Sequence, residues 1–172
     1  LESIYLKGRA ERDGLKNLTL NVSKHEIVGI AGISGNGQSA LANLIAGLSA
    51  PDAGHIKISG QDVVSSTHAS MINAGVGRIP EDRHHEGIVG SMSVAENMVI
   101  ERLDDPQISG AGLLRPAAIV ENAETLAKDY DVRGPGTDAP ARLLSGGNIQ
   151  KLILARVFER KPKLILANQP TR

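Results

Sequence analysis

Two glycine-containing turns and one pair of adjacent amides are the parts of this chain with chemistry to offer. The first turn, Gly32-Ile33-Ser34-Gly35-Asn36-Gly37-Gln38-Ser39, follows an apolar run and precedes a helical pattern. A strand, a glycine-rich turn and a helix aim several backbone N–H groups into one concavity. The helix dipole adds partial positive charge, so an anion is favoured there. Glycines at 32, 35 and 37 let the backbone wrap such an anion without side-chain clash. The second turn, Ser145-Gly146-Gly147, starts another helical pattern, with Ser145 placed to cap it and two glycines exposing amides. The third feature is Asn168-Gln169, which ends an apolar strand pattern. An uncharged Asn binds a hard cation weakly, and a Gln cannot take a proton from water. Plainer readings exist for each: a tight turn without ligand, a Ser-capped helix, and a strand running into a polar loop.

The surrounding patterns supply the frame. Leu18-Thr19-Leu20-Asn21-Val22 alternates as a half-buried strand, while Ile27-Val28-Gly29-Ile30-Ala31 is continuously apolar, as in a central parallel strand. Leu41, Leu44, Ile45 and Leu48 recur at helical spacing, ending near Gly47. Ile56-Lys57-Ile58 and Val63-Val64, separated by residues 59–62, predict a short antiparallel hairpin. Ser93-Val94-Ala95-Glu96 is a capping box, and a polar loop follows from Asp104 to Gly112. A second helix is predicted from Pro116, with Ile119, Ala123, Leu126 and Tyr130 on one stripe and Glu124 and Lys128 exposed. Residues 133–136 break it. A helix from Gly147 to about Glu159 buries Ile149, Leu152, Ile153 and Val157, and a final strand covers Lys163 to Ala167.

Composition removes several classes. The chain has 172 residues, enough for one substantial core, and Lys+Arg and Asp+Glu are both 19. No basic excess points to nucleic acid, and aromatics at 2% leave little for base stacking. Without cysteine there is no disulfide scaffold, thiolate zinc site or cysteine nucleophile. His84 and His85 are adjacent, a spacing unsuited to sharing one metal. No apolar run approaches the roughly 20 residues of a membrane span, so a membrane link is expected to come through a partner.

In this order and spacing, Gly32–Ser39, Leu144-Ser145-Gly146-Gly147-Asn148-Ile149-Gln150 and Leu164–Pro170 resemble the phosphate loop, signature motif and metal/base strand of ABC-type ATPases. The resemblance covers essentially the whole chain. It implies an α/β P-loop NTPase core of ABC type over 1–91 and 144–172, with a small antiparallel β portion and an inserted helical lobe over 92–143. ATP and Mg²⁺ are the implied cofactors, with Ser34, Gly35, Asn36, Gly37, Gln38, Ser39, Ala40 and Glu81 around the nucleotide and Ser39 as a weak Mg²⁺ ligand. Ser145, Gly146, Gly147 and Gln150 are implied to act on a triphosphate held by a second nucleotide-binding domain.

The chain departs from the family at its chemical positions. Gln38 stands where Lys is usual, and Asn168-Gln169 where Asp-Glu holds Mg²⁺ and polarises the attacking water. Charge-assisted hydrogen bonds contribute about 1.5–3 kcal/mol against ~1 for neutral ones, so the missing Lys weakens triphosphate binding roughly ten- to a hundredfold. Residues 8–12 lack the aromatic that usually stacks on adenine. Pro80-Glu81-Asp82-Arg83 occupies the place of the Q-loop, with Glu81 where Gln is usual. In this it resembles the second nucleotide-binding half of monosaccharide- and nucleoside-type importers; a surface turn is the other reading. The family continues past Arg172 with a D-loop and a switch His, so an incomplete sheet with an exposed edge is expected. The resemblance implies an importer ATPase at the cytoplasmic face of the membrane, partnered by permease subunits and a second nucleotide-binding domain, with a non-hydrolysing site of its own. A soluble non-transport ABC module and a nucleotide-free structural pseudo-ATPase are the alternatives.

Overall fold

The alternation at residues 18–22 lies within the second of two long antiparallel strands, β1 (Ser3–Ala10) and β2 (Leu15–Ser23). This computed structural model describes residues 3–10, 15–32, 37–63 and 67–170. Leu18, Leu20 and Val22 are half-buried while Thr19 and Asn21 are exposed, as a period of two requires. β1 and β2 pair from Ser3↔Ser23 to Ala10↔Leu15, with an irregularity between Gly8 and Ala10.

The chain then forms α1 (Gln38–Ile45), β3 (Ala53–Ile58), β4 (Gln61–Asp62), α2 (His68–Ala74) and β5 (Val76–Ile79). A four-stranded sheet has the order β2-β1-β3-β4. A hairpin forms at the predicted place, but its second strand is Gln61–Asp62, inside the expected turn, and not Val63-Val64; Val64 lies outside the described residues. Ile58 pairs with Gln61, so only Ser59 and Gly60 lie between the strands, at φ 51 and 77. Two positive φ values give the mirror-image turn that matches strand twist, and Gly adopts one without steric cost.

Leu41, Leu44 and Ile45 of α1 pack with Ile56, Ile58, Met71 and Val76 in one core. Leu48, read as the last residue of the α1 stripe, lies beyond the helix and is 50% exposed. The His68 ring Nδ1 lies 2.8 Å from the Ala46 carbonyl and ties the end of α1 to the start of α2. Helix α2 was missed in the sequence, although Thr67 and Ser70 form a reciprocal capping box.

The apolar run 27–31 is not a strand. Among the described residues it pairs with no strand, and Ile27 is 97% exposed. An apolar run becomes a central strand only when ladders flank it on both sides, and composition does not provide them.

The remaining elements are α3 (Val94–Val99), β6 (Ser109–Gly110), β7 (Leu113–Leu114), α4 (Pro116–Asp129), α5 (Gly146–Glu159) and β8 (Leu164–Ala167). Leu164 N and Asn168 N donate to Gly75 O and Ile79 O, so β8 runs parallel to β5 in a separate two-stranded sheet. The stretch read as a plain loop over 104–112 contains the first strand of the small β6–β7 hairpin.

Helix α3 packs on both α4 and α5. Ile119, Ala123 and Leu126 join Ile149, Leu152, Ile153 and Val157 in a second core, with Tyr130 packed against it. Residues 1–78 with 162–166 form one compact unit, and 79–161 with 167–172 the other. The sequence boundaries at 91 and 144 therefore differ from this division. Loop 79–91 and α5 belong with α3 and α4, because the inner face of α5 is buried against them.

Candidate functional site

In the first unit the phosphate-turn residues divide. Ser34, Gly35 and Asn36 lie outside the described residues. Gly37 occupies the N-cap of α1 at φ 94, a left-handed conformation that glycine adopts readily, and no side chain caps the helix. Gln38 opens the helix, Ser39 is exposed and Ala40 is buried. The Gln38 amide lies against the Gly32 backbone, so closely that a Cβ at Gly32 would sit 2.5 Å from Nε2. A neutral donor, not a cation, therefore stands at the head of α1.

In the second unit the loop after β5 is internally braced. Asp82 Oδ1 accepts from the backbone N–H groups of His84 and His85, each at 3.0 Å. The His85 bond, followed by that of His84, holds the Asp82 carboxyl below the usual range, with desolvation opposing. This turn fixes residues 82–86, and Arg83 leaves it to donate from Nη1 to Gln150 Oε1 at 3.1 Å. Gln150 Nε2 in turn donates to the Pro170 carbonyl. One amide thus joins the loop after β5, α5 and the turn after β8. Gln150, which the resemblance sends across an interface, is bonded at both ends within its own chain.

Asn168 is half-buried and continues the β8 ladder through its N–H to Ile79 O at 2.9 Å, while Gln169 is exposed at φ 46. Glu81 is half-buried. The oxygens that Ser39, Asn168 and Gln169 could offer are neutral, and the described residues contain no group of three His, Cys, Asp or Glu able to hold a metal. Neutral oxygens hold a hard divalent cation more weakly than carboxylates do.

The signature turn differs from expectation in one respect. Ser145 sits at the N-cap of α5 (φ −66, ψ 156), yet its side chain makes no capping bond. Its Oγ instead accepts from Asn148 Nδ2 at 2.9 Å. Asn148 Oδ1 accepts from the backbone N–H of Arg133 at 2.8 Å. Lys151, one turn further along α5, donates to both the carboxylate of Asp131 at 2.6 Å and its carbonyl at 2.8 Å. Those bonds, Lys151 first and Arg133 second, keep the Asp131 carboxyl below its ordinary range. Gly147 is exposed with open space where a Cβ would stand, while a Cβ at Gly146 would sit 3.4 Å from Arg83 Nε.

Sequence reasoning also missed the scaffold beneath this turn. Asn97 is fully buried; its Oδ1 accepts from Val89 N at 2.8 Å, and its Nδ2 donates to the carbonyls of Val89, Met92 and Ser93. Arg156 is 6% exposed and donates to the carbonyls of Gly87 at 2.8 Å and Asn97 at 3.3 Å. Its Nε lies 3.0 Å from Glu101 Oε1 as an ion pair without hydrogen-bond alignment. Arg160 contacts the other oxygen of Glu101 at 3.3 Å. Burial lowers the Arg156 pKa, opposed by the Glu101 charge. A polar residue on a helix's buried face leaves no periodic signal, which is why neither stood out.

The fold and the two glycine turns define an ABC-type P-loop NTPase. The sequence profile of the ABC transporter family matches residues 15–172, and the chain belongs to that family. It is 43% identical over 158 residues to the nucleoside import ATP-binding protein NupA of Lactococcus lactis, covering 92% of this chain and 31% of that protein. It is 38% identical over 172 residues to the guanosine import ATP-binding protein NupO of Bacillus subtilis, covering 100% and 34%. The glucose import ATP-binding protein TsgD13 of Haloferax volcanii is 43% identical over 162 residues, covering 93% and 30%. The chain thus spans about a third of the length of these relatives. Among solved structures, a dimeric ATP-binding cassette in a post-hydrolysis state with ADP and Pi shares the fold. Its TM-score is 0.74 at 23% identity, covering 98% of this chain and 74% of that one.

Proposed function

We propose that this chain is part of the second nucleotide-binding half of a sugar or nucleoside importer ATPase. In this reading its own phosphate site is neutral, and its signature turn completes a triphosphate site on a second nucleotide-binding domain. Permease subunits hold the assembly at the cytoplasmic face of the membrane. The observation that carries the reading is an α5 N-terminus without a side-chain cap together with an uncharged α1 head. Ser145 Oγ and the amides of Gly146 and Gly147 supply donors to the γ-phosphate region of the partner's nucleotide. Gln38, Asn168 and Gln169 supply neither cation, anionic metal ligand nor base at this chain's own site. The similarity to nucleoside, guanosine and glucose import proteins supports the substrate class.

Turnover of Mg·ATP by the isolated chain tests the reading, and negligible hydrolysis is expected. Turnover comparable to an intact transporter overturns it. Heat stability with a nonhydrolysable ATP analogue gives a second measure. Gln38→Lys is expected to raise the ligand-induced stabilisation by about 1–2 kcal/mol at fixed ligand, the difference between a neutral and a charge-assisted bond.

A further inference from the structure

We propose that Asn148 is a positioning residue that points the Ser145 hydroxyl proton outward, toward the phosphate that the signature turn meets. This rests on the role of Ser145 given above. The geometry is a one-way hydrogen-bond chain. Arg133 N–H can only donate, and it donates to Asn148 Oδ1 at 2.8 Å. That bond fixes which end of the amide faces which neighbour, so Nδ2, which also can only donate, faces Ser145 Oγ at 2.9 Å. The hydroxyl oxygen is thereby used as an acceptor. Its own proton finds no acceptor on Asn148, since Oδ1 is turned to Arg133, and it is left to donate away from the helix.

The start of the chain is itself anchored. Asp131, at φ 53, receives Lys151 Nζ at 2.6 Å and Arg133 Nε at 2.7 Å, so the turn after α4 is fastened to α5 one helical turn below Asn148. A serine that merely capped its helix would accept from the second or third amide of the helix. Here no such bond forms. The hydroxyl therefore meets no competing acceptor on Asn148.

The test is a double-mutant cycle on ATP turnover by the assembled transporter carrying this chain, with kcat and KM for Mg·ATP determined separately. Ser145→Ala is expected to lower kcat/KM roughly ten- to a hundredfold, the loss of one hydrogen bond to a charged group. Asn148→Ala is expected to cost part of that factor alone and almost nothing further in the Ser145→Ala background. Asn148→Asp separates direction from tethering. Its carboxylate still accepts from Arg133 N–H, so a tethering role predicts near-normal turnover. A positioning role predicts a larger loss than Ala, because Asp also accepts the Ser145 proton. Its residual effect beside Ser145→Ala measures its charge alone. Additive losses for Asn148→Ala and Ser145→Ala, or near-normal Asn148→Asp, overturn the positioning role and leave Ser145 in place. Unchanged turnover in Ser145→Ala removes the reading of Ser145 itself, and this inference with it. Circular dichroism and urea unfolding of each variant confirm the fold.

Discussion

Arg83 Nη1 and Gln150 Oε1 stand 3.1 Å apart, joining the loop that follows β5 to the second turn of α5. The same Gln150 amide reaches the Pro170 carbonyl, so three segments distant in sequence meet on one side chain. Replacing it with the apolar Gln150→Leu removes both bonds. The expected loss of stability is about 1–2 kcal/mol, read as a lower urea midpoint. Arg83→Met combined with Gln150→Leu costs less than the sum of the two, by about 0.5–1 kcal/mol, because both remove one shared bond.

Asn97 is the polar keystone of the second unit's core. Asn97→Leu keeps the volume but takes the acceptor from the part-buried Val89 N–H and a donor from three carbonyls. We expect a loss of about 2–4 kcal/mol in urea unfolding, well above that of an exposed substitution such as Glu124→Gln.

Removing one partner of the buried Arg156–Glu101 pair exposes the cost of the other. Glu101→Ala leaves the Arg156 guanidinium in a largely water-free site and is expected to destabilise by about 3–5 kcal/mol. Arg160 loses the same partner. Arg156→Met, which removes the buried charge and keeps the stem, is expected to cost less than Glu101→Ala in the same assay.

The capping box of α3 gives a pH signature. Glu96 accepts from Ser93 N at 2.7 Å and from Ser93 Oγ at 2.9 Å, and these bonds, the backbone one first, lower its pKa from the ordinary 4.5. A lowered folded-state value means the contribution is complete above 4.5 and is lost as pH falls through the folded value. Glu96→Gln is therefore expected to lower stability at pH 7, to flatten the acid limb of the stability profile below pH 4.5, and to differ least from the parent at the acid end. Ser93→Ala costs about 1 kcal/mol at neutral pH, measured by urea unfolding.

Local signals carried over to the structure where the energetics are local. Ser93 and Glu96 form their predicted box, Ile119, Ala123 and Leu126 bury as one stripe, and α5 presents the four apolar residues its spacing demands. The run 27–31 shows the limit of such signals. Its composition fits a central strand, but pairing is a property of distant segments, and no ladder forms on it among the described residues. The signature turn shows a subtler limit. Serine before two glycines identifies an N-cap position, yet the competition between capping and the Asn148 amide is decided by Arg133, twelve residues upstream of Ser145. Asn97 and Arg156 escaped notice because a polar residue on a buried helix face interrupts the pattern that reveals the helix.

The grip of Arg156 on two carbonyls bears on how this part of the molecule breathes. Gly87 precedes α3 and Asn97 lies within it, so neither segment can lift from α5 without releasing the guanidinium. Amide protons along Leu152–Val157 are then expected to exchange with solvent as a single cooperative block, together with those of α3, and not by fraying one turn at a time.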